Sequence, residues 1–499
     1  MDNREQWGSR AGFLFAAIGS AVGLGNIWRF PAVAYANGGG AFFIPYLIAL
    51  LTAGIPLLIL EFTMGHKYRG SAPLTLARIS KHGEWLGWWQ VLVSFFISTY
   101  YPIIIAWAVS YTIFSFNLSW GSNTEAFFQK DYAQFALVHP GQIGGMAWKV
   151  VIPLVVVWIV VFAILFKGVQ KGIERANKIC IPLLVVLFAI IVIRAVTLPG
   201  AAEGLDAFFK PDWGKIASGS VWIAAYGQIF FSLSIAFGIM VAYASYLPRK
   251  TDITNNAFIT GLSNSGFELL AGIGVFAALG FMAHSAGVSI NDIAQGGPNL
   301  VFVVLPKIIN TLPAFQSAFA VLFFLSIVFA GLTSLISILE AYVSAVQDKF
   351  NISRAKAVGW GGGIAAVLSV LYATKGGLYF LDNIDHFVNA YGVALAGLVE
   401  VILVAWVFRK LGELQKHANG ISDMRLGAWW TVCLSVITPI VLGYMMIDSI
   451  RTDFKTPYSG YSGSFIALGV AIAVLSIVLG WIIAGLKWKR TLEEQKEVS

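Results

Sequence analysis

An apolar stretch near the start of the chain is interrupted by Ala21-Val22-Gly23-Leu24-Gly25-Asn26. Hydrocarbon offers no water to unpaired backbone groups, and each one left unsatisfied there costs several kcal/mol. The glycines and asparagine therefore predict a backbone opened around a polar guest rather than set against lipid. A second interruption reads Phe231-Ser232-Leu233-Ser234-Ile235-Ala236-Phe237-Gly238. Further on, Ala330, Thr333, Ser334 and Ser337 fall at i, i+3, i+4 and i+7, which puts three hydroxyls on one helical face. Such a stripe alone usually back-bonds to its own helix, and its value lies in convergence with the two breaks. Hydroxyl, amide and free carbonyl oxygens without a Cys/His cluster suit a hard cation such as Na⁺. Amide N–H groups freed at a break suit an anion.

These residues need membrane helices to hold them. The chain has 499 residues, 58% hydrophobic and 12% charged, against about 25% charged in soluble domains. About 20 apolar residues cross a bilayer. On that rule we expect twelve spans, near 11–35, 41–65, 87–117, 147–166, 173–197, 221–246, 256–283, 316–347, 357–373, 379–408, 427–448 and 464–486. The segment 298–313, punctuated by Pro298, Pro306 and Pro313, reads as an outside helical hairpin or cap. No cleavable signal is expected, because Gly12 to Tyr35 is too long for a signal core and runs into further spans. With the N-terminus inside, 23 of the 33 Lys and Arg residues fall in cytoplasmic segments and 8 outside, which places both termini in the cytoplasm. Cys180 and Cys433 are expected as two unpaired core thiols. The net charge of +8 suits a membrane face and not nucleic acid, since no basic cluster joins an aromatic platform.

The interrupted spans, one and six, each open a block of five. An odd block size makes the second block, 221–408, run upside down relative to the first, 11–197, with 427–486 adding two further spans. The expectation is one all-α polytopic membrane domain over 1–499, with a five-plus-five inverted repeat and helices 1 and 6 unwound at mid-membrane. Breaks at corresponding positions of inverted halves point to a binding site at the bilayer midplane.

The chain strongly resembles the neurotransmitter:sodium symporter family, in particular its bacterial amino-acid branch with the leucine-transporter-like fold. The matching text runs Ala21-Val22-Gly23-Leu24-Gly25-Asn26-Ile27-Trp28-Arg29-Phe30-Pro31 and Asn37-Gly38-Gly39-Gly40-Ala41-Phe42. It continues with Gly227-Gln228-Ile229-Phe230-Phe231-Ser232-Leu233-Ser234 and Ala330-Gly331-Leu332-Thr333-Ser334. The likeness covers spans one to ten; spans eleven and twelve match in length and hydropathy only.

The resemblance implies two sodium sites. One would use the Ala21 carbonyl, the Asn26 and Asn264 side chains, Ser232 and the substrate carboxylate. The other would use the carbonyls of Gly19, Val22 and Ala330 with the hydroxyls of Thr333 and Ser334. It implies that the substrate carboxylate rests on the Leu24 and Gly25 amides and the Tyr101 hydroxyl. The amine would meet the carbonyls of Ala21 and Phe231 and the Ser234 hydroxyl. Ile97, Phe231, Phe237 and Ile338 would line the side-chain pocket with Ser334 and Ser337. A pocket with no acid or base facing the side chain predicts a neutral, mostly apolar α-amino acid. Gly25 leaves room for a carboxylate directly against the backbone.

An ionisable residue at membrane depth costs about 2.5–3.5 kcal/mol and is functional by default. By resemblance Arg29 and Asp385 form a thin outside gate with Phe231 as its lid, and Arg4 pairs with Asp348 inside, sealed by Trp7 and Tyr246. Chloride-dependent relatives carry serine where this chain has Glu268, placed near Tyr46, Gln228, Ser232 and Asn264. A fixed carboxylate would replace the anion, and its protonation in the empty carrier would let the carrier return. Glu340 falls near the cytoplasmic pathway, and Glu61 and Glu400 are expected only to tie helices together.

The function so implied is sodium-coupled symport of a neutral amino acid by alternating access, with two Na⁺ ions and no chloride requirement. The expected setting is a multi-pass protein of the plasma membrane, a monomer or loose homodimer. A non-transporting amino-acid sensor or a small-solute channel is the rival reading. An enzyme is not expected, because the six histidines form no convincing nucleophilic arrangement with Ser or Cys.

Overall fold

A computed structural model describes residues 5–293 and 296–489. The helices that cross or half-cross the bundle are α1 (Arg10–Ala21), α2 (Leu24–Ala36), α3 (Gly40–Tyr68), α4 (Glu84–Phe114), α5 (Trp148–Leu165), α6 (Val169–Val196), α7 (Gly219–Ser232) and α8 (Ile239–Ser245). They continue with α9 (Ile253–Ala286), α10 (Gln316–Phe350), α11 (Arg354–Ala373), α12 (Gly377–Val407), α13 (Ala428–Gly460) and α14 (Gly463–Gly485). Among the described residues there is no named strand, as expected where every backbone group must be satisfied within its own segment.

Ten of these helices are long and apolar enough to cross a membrane, and α1 with α2, bent by 52°, makes an eleventh. The remaining expected span, 221–246, is divided into α7 and α8, neither of which reaches spanning length alone. The segment 298–313 is helical from Gly297 to Thr311. Cys433 is buried, but Cys180 is only half-buried. That second thiol departs from expectation because α6 is peripheral and turns much of its surface outward.

Burial sorts the helices into layers. The most apolar windows of α4, α9 and α10 are 83%, 78% and 72% buried, against 22% for α14, so these three lie at the centre, where α4 and α10 pack along one another. Large apolar side chains project outward from the peripheral helices, among them Ile152, Ile159, Ile193 and Ile482. That is the pattern of a protein whose solvent is lipid.

Close helix contact is decisive at Gly65. A Cβ there would lie 2.1 Å from the Val241 carbonyl oxygen of α8, and main chain cannot swing aside as a side chain can. Gly65→Ala is expected to destabilise the fold by about 1–3 kcal/mol, the cost of overpacking, read as a lower thermal unfolding midpoint in detergent. At the same end a short helix, Leu411–Ile421, is tied to α3 through Lys67 and Glu413, 2.7 Å apart. Lys410 and Lys67 hold the Glu413 carboxyl down to about 2. The tie is therefore present above the ordinary carboxylate range and is lost only as pH falls through that low value.

Candidate functional site

Two local breaks in helical structure build the site. Ser9 starts α1 by accepting the Gly12 amide at 3.0 Å, and α1 stops at Val22, whose ψ of 90° is extended. Asn26 then starts α2: its side chain accepts the Gly23 amide at 2.9 Å. Neither the Leu24 nor the Gly25 amide donates to a main-chain acceptor among the described residues. The Gly25 donor is left for an anion, and the Leu24 donor meets only the Tyr101 hydroxyl. The Tyr101 hydroxyl lies beside the Leu24 amide and the Ser334 hydroxyl. A Cβ built on Gly25 would meet nothing within 4 Å, so open space lies directly against the backbone there.

The second break alternates left-handed residues: Ser234 (φ 54°), Ala236 (φ 65°) and Gly238 (φ 72°). The first two carry side chains, and each such placement costs about 1–2 kcal/mol. Four side-chain contacts hold them. The Ala236 amide donates to Glu61 at 2.6 Å, the Ser94 hydroxyl donates to the Phe237 carbonyl at 2.7 Å, and Ser234 donates to the Ser20 carbonyl at 2.9 Å while accepting from the Ser20 hydroxyl at 3.2 Å. Glu61, expected to tie helices together, thus holds an unwound backbone. Glu400 accepts from Gln90 at 2.5 Å.

Between the breaks lies a cavity of about 700 Å³. Its wall includes Ala21, Leu24, Gly25, Ile97, Tyr101, Phe231, Ser234, Phe237, Ser334 and Ile338. Of the eleven expected substrate contacts only Ser337 is off the wall. Its hydroxyl donates to the Thr333 carbonyl and accepts from Tyr243 at 2.7 Å, which turns it away from the cavity.

The expected ion ligands form two groups. Asn26 donates to Asn264 at 2.7 Å, and Asn264 donates to Ser232 at 3.0 Å, a polar chain that joins the first break to the end of α7. Ala21, Asn26 and Ser232 also border the cavity. In the other group the Ser334 hydroxyl lies 3.3 Å from the Gly19 carbonyl. Thr333 donates to the Phe329 and Ala330 carbonyls at 3.0 Å, and Val22 closes the last turn of α1 by donating to Ile18. Every ligand atom in both groups is oxygen, and no cluster of three or more His, Cys, Asp or Glu suits a metal among the described residues. The C-terminal ends of α1 and α7, negative by their dipoles, and the positive start of α2 converge on the same space.

Glu268 is fully buried. It accepts from Gln228 at 2.6 Å and from the Tyr46 hydroxyl, which also lies 2.8 Å from Ser265. No Lys or Arg forms an ion pair with it among the described residues. Gln228 borders the cavity. Glu268 and Asn264 are one turn apart on α9, as Gln228 and Ser232 are on α7, so the carboxylate stands directly behind the Asn264–Ser232 pair.

The two ends of the cavity differ. Arg29 is exposed and borders it together with Asp385, Asp382 and Tyr461. No ion pair joins Arg29 to Asp385; Asp385 instead accepts from Tyr100 and Asn389 at 2.8 Å, while the Arg29 guanidinium sits 4.6 Å above the Phe231 ring. The expected thin gate is apart, and the cavity communicates with water there. At the other end Trp7 is buried, donating its indole N–H to the Tyr243 carbonyl at 2.8 Å and its amide to the Tyr246 carbonyl at 3.1 Å. Arg4, one half of the expected inner pair, lies outside the described residues, and Asp348 accepts the Ser71 amide at 2.8 Å.

A different pair closes this end. Arg354 grips Glu340 with two hydrogen bonds of 3.0 and 2.7 Å, and the Tyr246 hydroxyl donates to the same carboxylate at 2.8 Å. An acid so deep in an apolar span signals the need for a cation, but nothing in the sequence chose Arg354 among its neighbours. Arg354→Ala leaves the buried carboxylate without its cation, a loss of about 3–5 kcal/mol. We expect hydrogen exchange along α1 to rise at least tenfold, and the apolar double variant Glu340→Leu/Arg354→Leu to recover protection.

An all-helical, multi-pass membrane protein with a cavity between two broken helices is the class that this geometry defines. The comparison with known proteins is specific: residues 4–139 and 119–491 match the sodium:neurotransmitter symporter family, and the chain belongs to it. An uncharacterised sodium-dependent transporter of Methanocaldococcus jannaschii is 42% identical over 484 residues, 97% of this chain and 98% of that protein. The sodium-dependent dopamine transporters of Caenorhabditis elegans and Bos taurus are 30% and 31% identical, covering 92% and 97% of this chain and 82% and 75% of their own lengths.

Proposed function

We propose that the chain couples the sodium gradient to uptake of a neutral, mostly apolar α-amino acid, with residues 11–197 and 221–408 as inverted repeats and both termini in the cytoplasm. The observation that carries this reading is the chemistry facing the cavity. The Leu24 and Gly25 amides, without main-chain acceptors, and the Tyr101 hydroxyl beside Leu24 accept a carboxylate on one side. The helix-end carbonyls near Ala21 and Phe231, with the Ser234 hydroxyl, accept an ammonium. The two oxygen groups hold Na⁺ on either side: Ala21, Asn26, Ser232 and Asn264 in one, and Gly19, Val22, Ala330, Thr333 and Ser334 in the other. Sodium and substrate share the first group, so each strengthens the other's binding. Glu268 supplies the negative charge that chloride would bring, and protonation once sodium has left lets the empty site return.

The acids on the cavity wall, Asp382 and Asp385, stand at its mouth beside Arg29, and no charged group surrounds Ile97, Phe237 and Ile338. A neutral apolar side chain fits there. Ala236 stands where the resemblance implies glycine; it is off the cavity wall, and its methyl stiffens the second break, which favours a small or branched substrate over a large aromatic one. Dopamine, the cargo in the names of two relatives, has no carboxylate and would leave the Leu24 and Gly25 amides without an anion. The test is uptake of alanine, leucine, tryptophan and dopamine into proteoliposomes with and without an inward sodium gradient. Gradient-driven accumulation of alanine or leucine is expected. Binding without accumulation would identify a sensor, flux without coupling a channel, and tryptophan or dopamine as best substrate would overturn the specificity. Gly25→Val, which fills the open space at the backbone, is expected to lower substrate affinity at least tenfold with an unchanged melting temperature.

A further inference from the structure

The connection between α5 and α6 carries basic residues that the transport site does not use. Lys167, Lys171 and Arg175 stand four residues apart and line one surface groove of about 790 Å³ with Gln170. Their common direction has a local cause. Gly172 packs so closely on the end of α5 that a Cβ would lie 2.1 Å from the Ile164 carbonyl oxygen. The chain is thereby folded back into the wide helical turn Val169–Glu174, which gathers the three cations on one side.

No acid among the described residues pairs with them. Glu174, the nearest in sequence, is buried and turned away, accepting the Gly8 amide at 2.6 Å, the Ser9 hydroxyl at 2.9 Å and Lys178 at 2.6 Å. Glu5 caps the Val169 amide and faces Arg354. Lys167, Lys171 and Arg175 form no ion pair among the described residues. The groove borders lipid-facing surface: Phe166 and Ile159 on the α5 side and Ile179 on the α6 side are exposed. A cationic groove beside exposed apolar side chains of α5 and α6 fits an amphiphile with an anionic head.

We propose that this groove binds the headgroup of an anionic phospholipid, with the two phosphates of cardiolipin set among Lys167, Lys171 and Arg175 and the acyl chains along α5 and α6. Three unneutralised cations match two phosphates better than a single phosphodiester. The bound lipid also steadies the segment that holds the chain ahead of α1, because Val169–Glu174 supplies the contacts to Glu5, Gly8 and Ser9. The proposal needs only a membrane-embedded protein and is independent of the substrate reading.

The experiment is native mass spectrometry of the full chain in detergent, titrated with tetraoleoyl cardiolipin or with dioleoyl phosphatidylcholine. Wild type is expected to retain cardiolipin and not phosphatidylcholine. Each basic residue near a membrane surface contributes about fivefold, so Lys167→Gln/Lys171→Gln/Arg175→Gln is expected to bind on the order of a hundredfold more weakly. A matched variant, Arg409→Gln/Lys416→Gln/Arg425→Gln, removes the same charge elsewhere and is expected to bind as wild type does. Equal loss in both variants would reduce the effect to net charge and overturn the proposal. So would displacement of cardiolipin by inorganic phosphate, which would mark a soluble-anion site, or retention by the first variant with a normal melting temperature. Failure here would leave sodium-driven uptake intact, and the two readings fall separately.

Discussion

Asn26→Ala is expected to abolish sodium-dependent substrate binding, shifting the sodium concentration for half-saturation upward by on the order of a hundredfold or more. The side chain works on three partners at once. It receives the Gly23 amide at the first break, donates to Asn264 at 2.7 Å and, through Asn264, orders Ser232. Truncation strands a buried amide and a buried carbonyl oxygen, each costing about 1–3 kcal/mol. In the proposed mechanism it also deletes a sodium ligand. A combined loss near 3 kcal/mol already corresponds to about two decades in affinity. The measurement is a sodium titration of radiolabelled substrate binding to purified protein. Half-saturation within threefold of wild type would remove Asn26 from the ion site and reduce it to a helix cap.

The second large effect is a change of ion requirement. Glu268→Ser is expected to make uptake depend on chloride, with at least tenfold stimulation by that ion, where wild type is expected to show none. The carboxylate is fully buried, and its hydrogen-bond partners, Gln228 and Tyr46, are neutral donors. Removing it leaves the space and the donors and takes away the charge. Unit charges about 5 Å apart attract by about 3 kcal/mol at an effective dielectric of about 20, so a sodium ion held nearby loses a large part of its stabilisation unless an anion enters. Serine is small enough to admit one. Glu268→Gln fills the space with a neutral group and is expected to be impaired with or without chloride. Chloride-indifferent uptake by the serine variant would reject the anion-substitute role.

The amino-acid order alone determined the class of molecule and pointed to the segments that line the cavity. Gly23, Gly25 and Asn26 inside apolar text, and the serines of the corresponding later span, cannot lie against lipid, so their place in the bundle was legible before any coordinates. The hydroxyl stripe of α10 followed from helical spacing, and its lower limit did not. Ser337 shares the face of Ser334, yet its hydroxyl is taken by Tyr243 of α8 and stays off the cavity wall, while its neighbour Ile338 lines it. Which hydroxyls of a helical face reach a cavity depends on a neighbour remote in sequence.

The same holds for what keeps the breaks open. Nothing in the residue types of Ser234 and Ala236 announces left-handed backbone; that conformation is imposed by Glu61, Ser94 and Ser20 from other helices. The Arg354–Glu340 pair and the separation of Arg29 from Asp385 are likewise choices among several charged residues within reach, and only packing makes them. Sequence alone determined that polar main chain must sit inside this membrane protein, because hydrocarbon forbids the alternative. Tertiary structure alone decided which distant side chains hold that main chain open and which end of the cavity meets water, because those contacts join segments whose order along the chain says nothing of their distance in space.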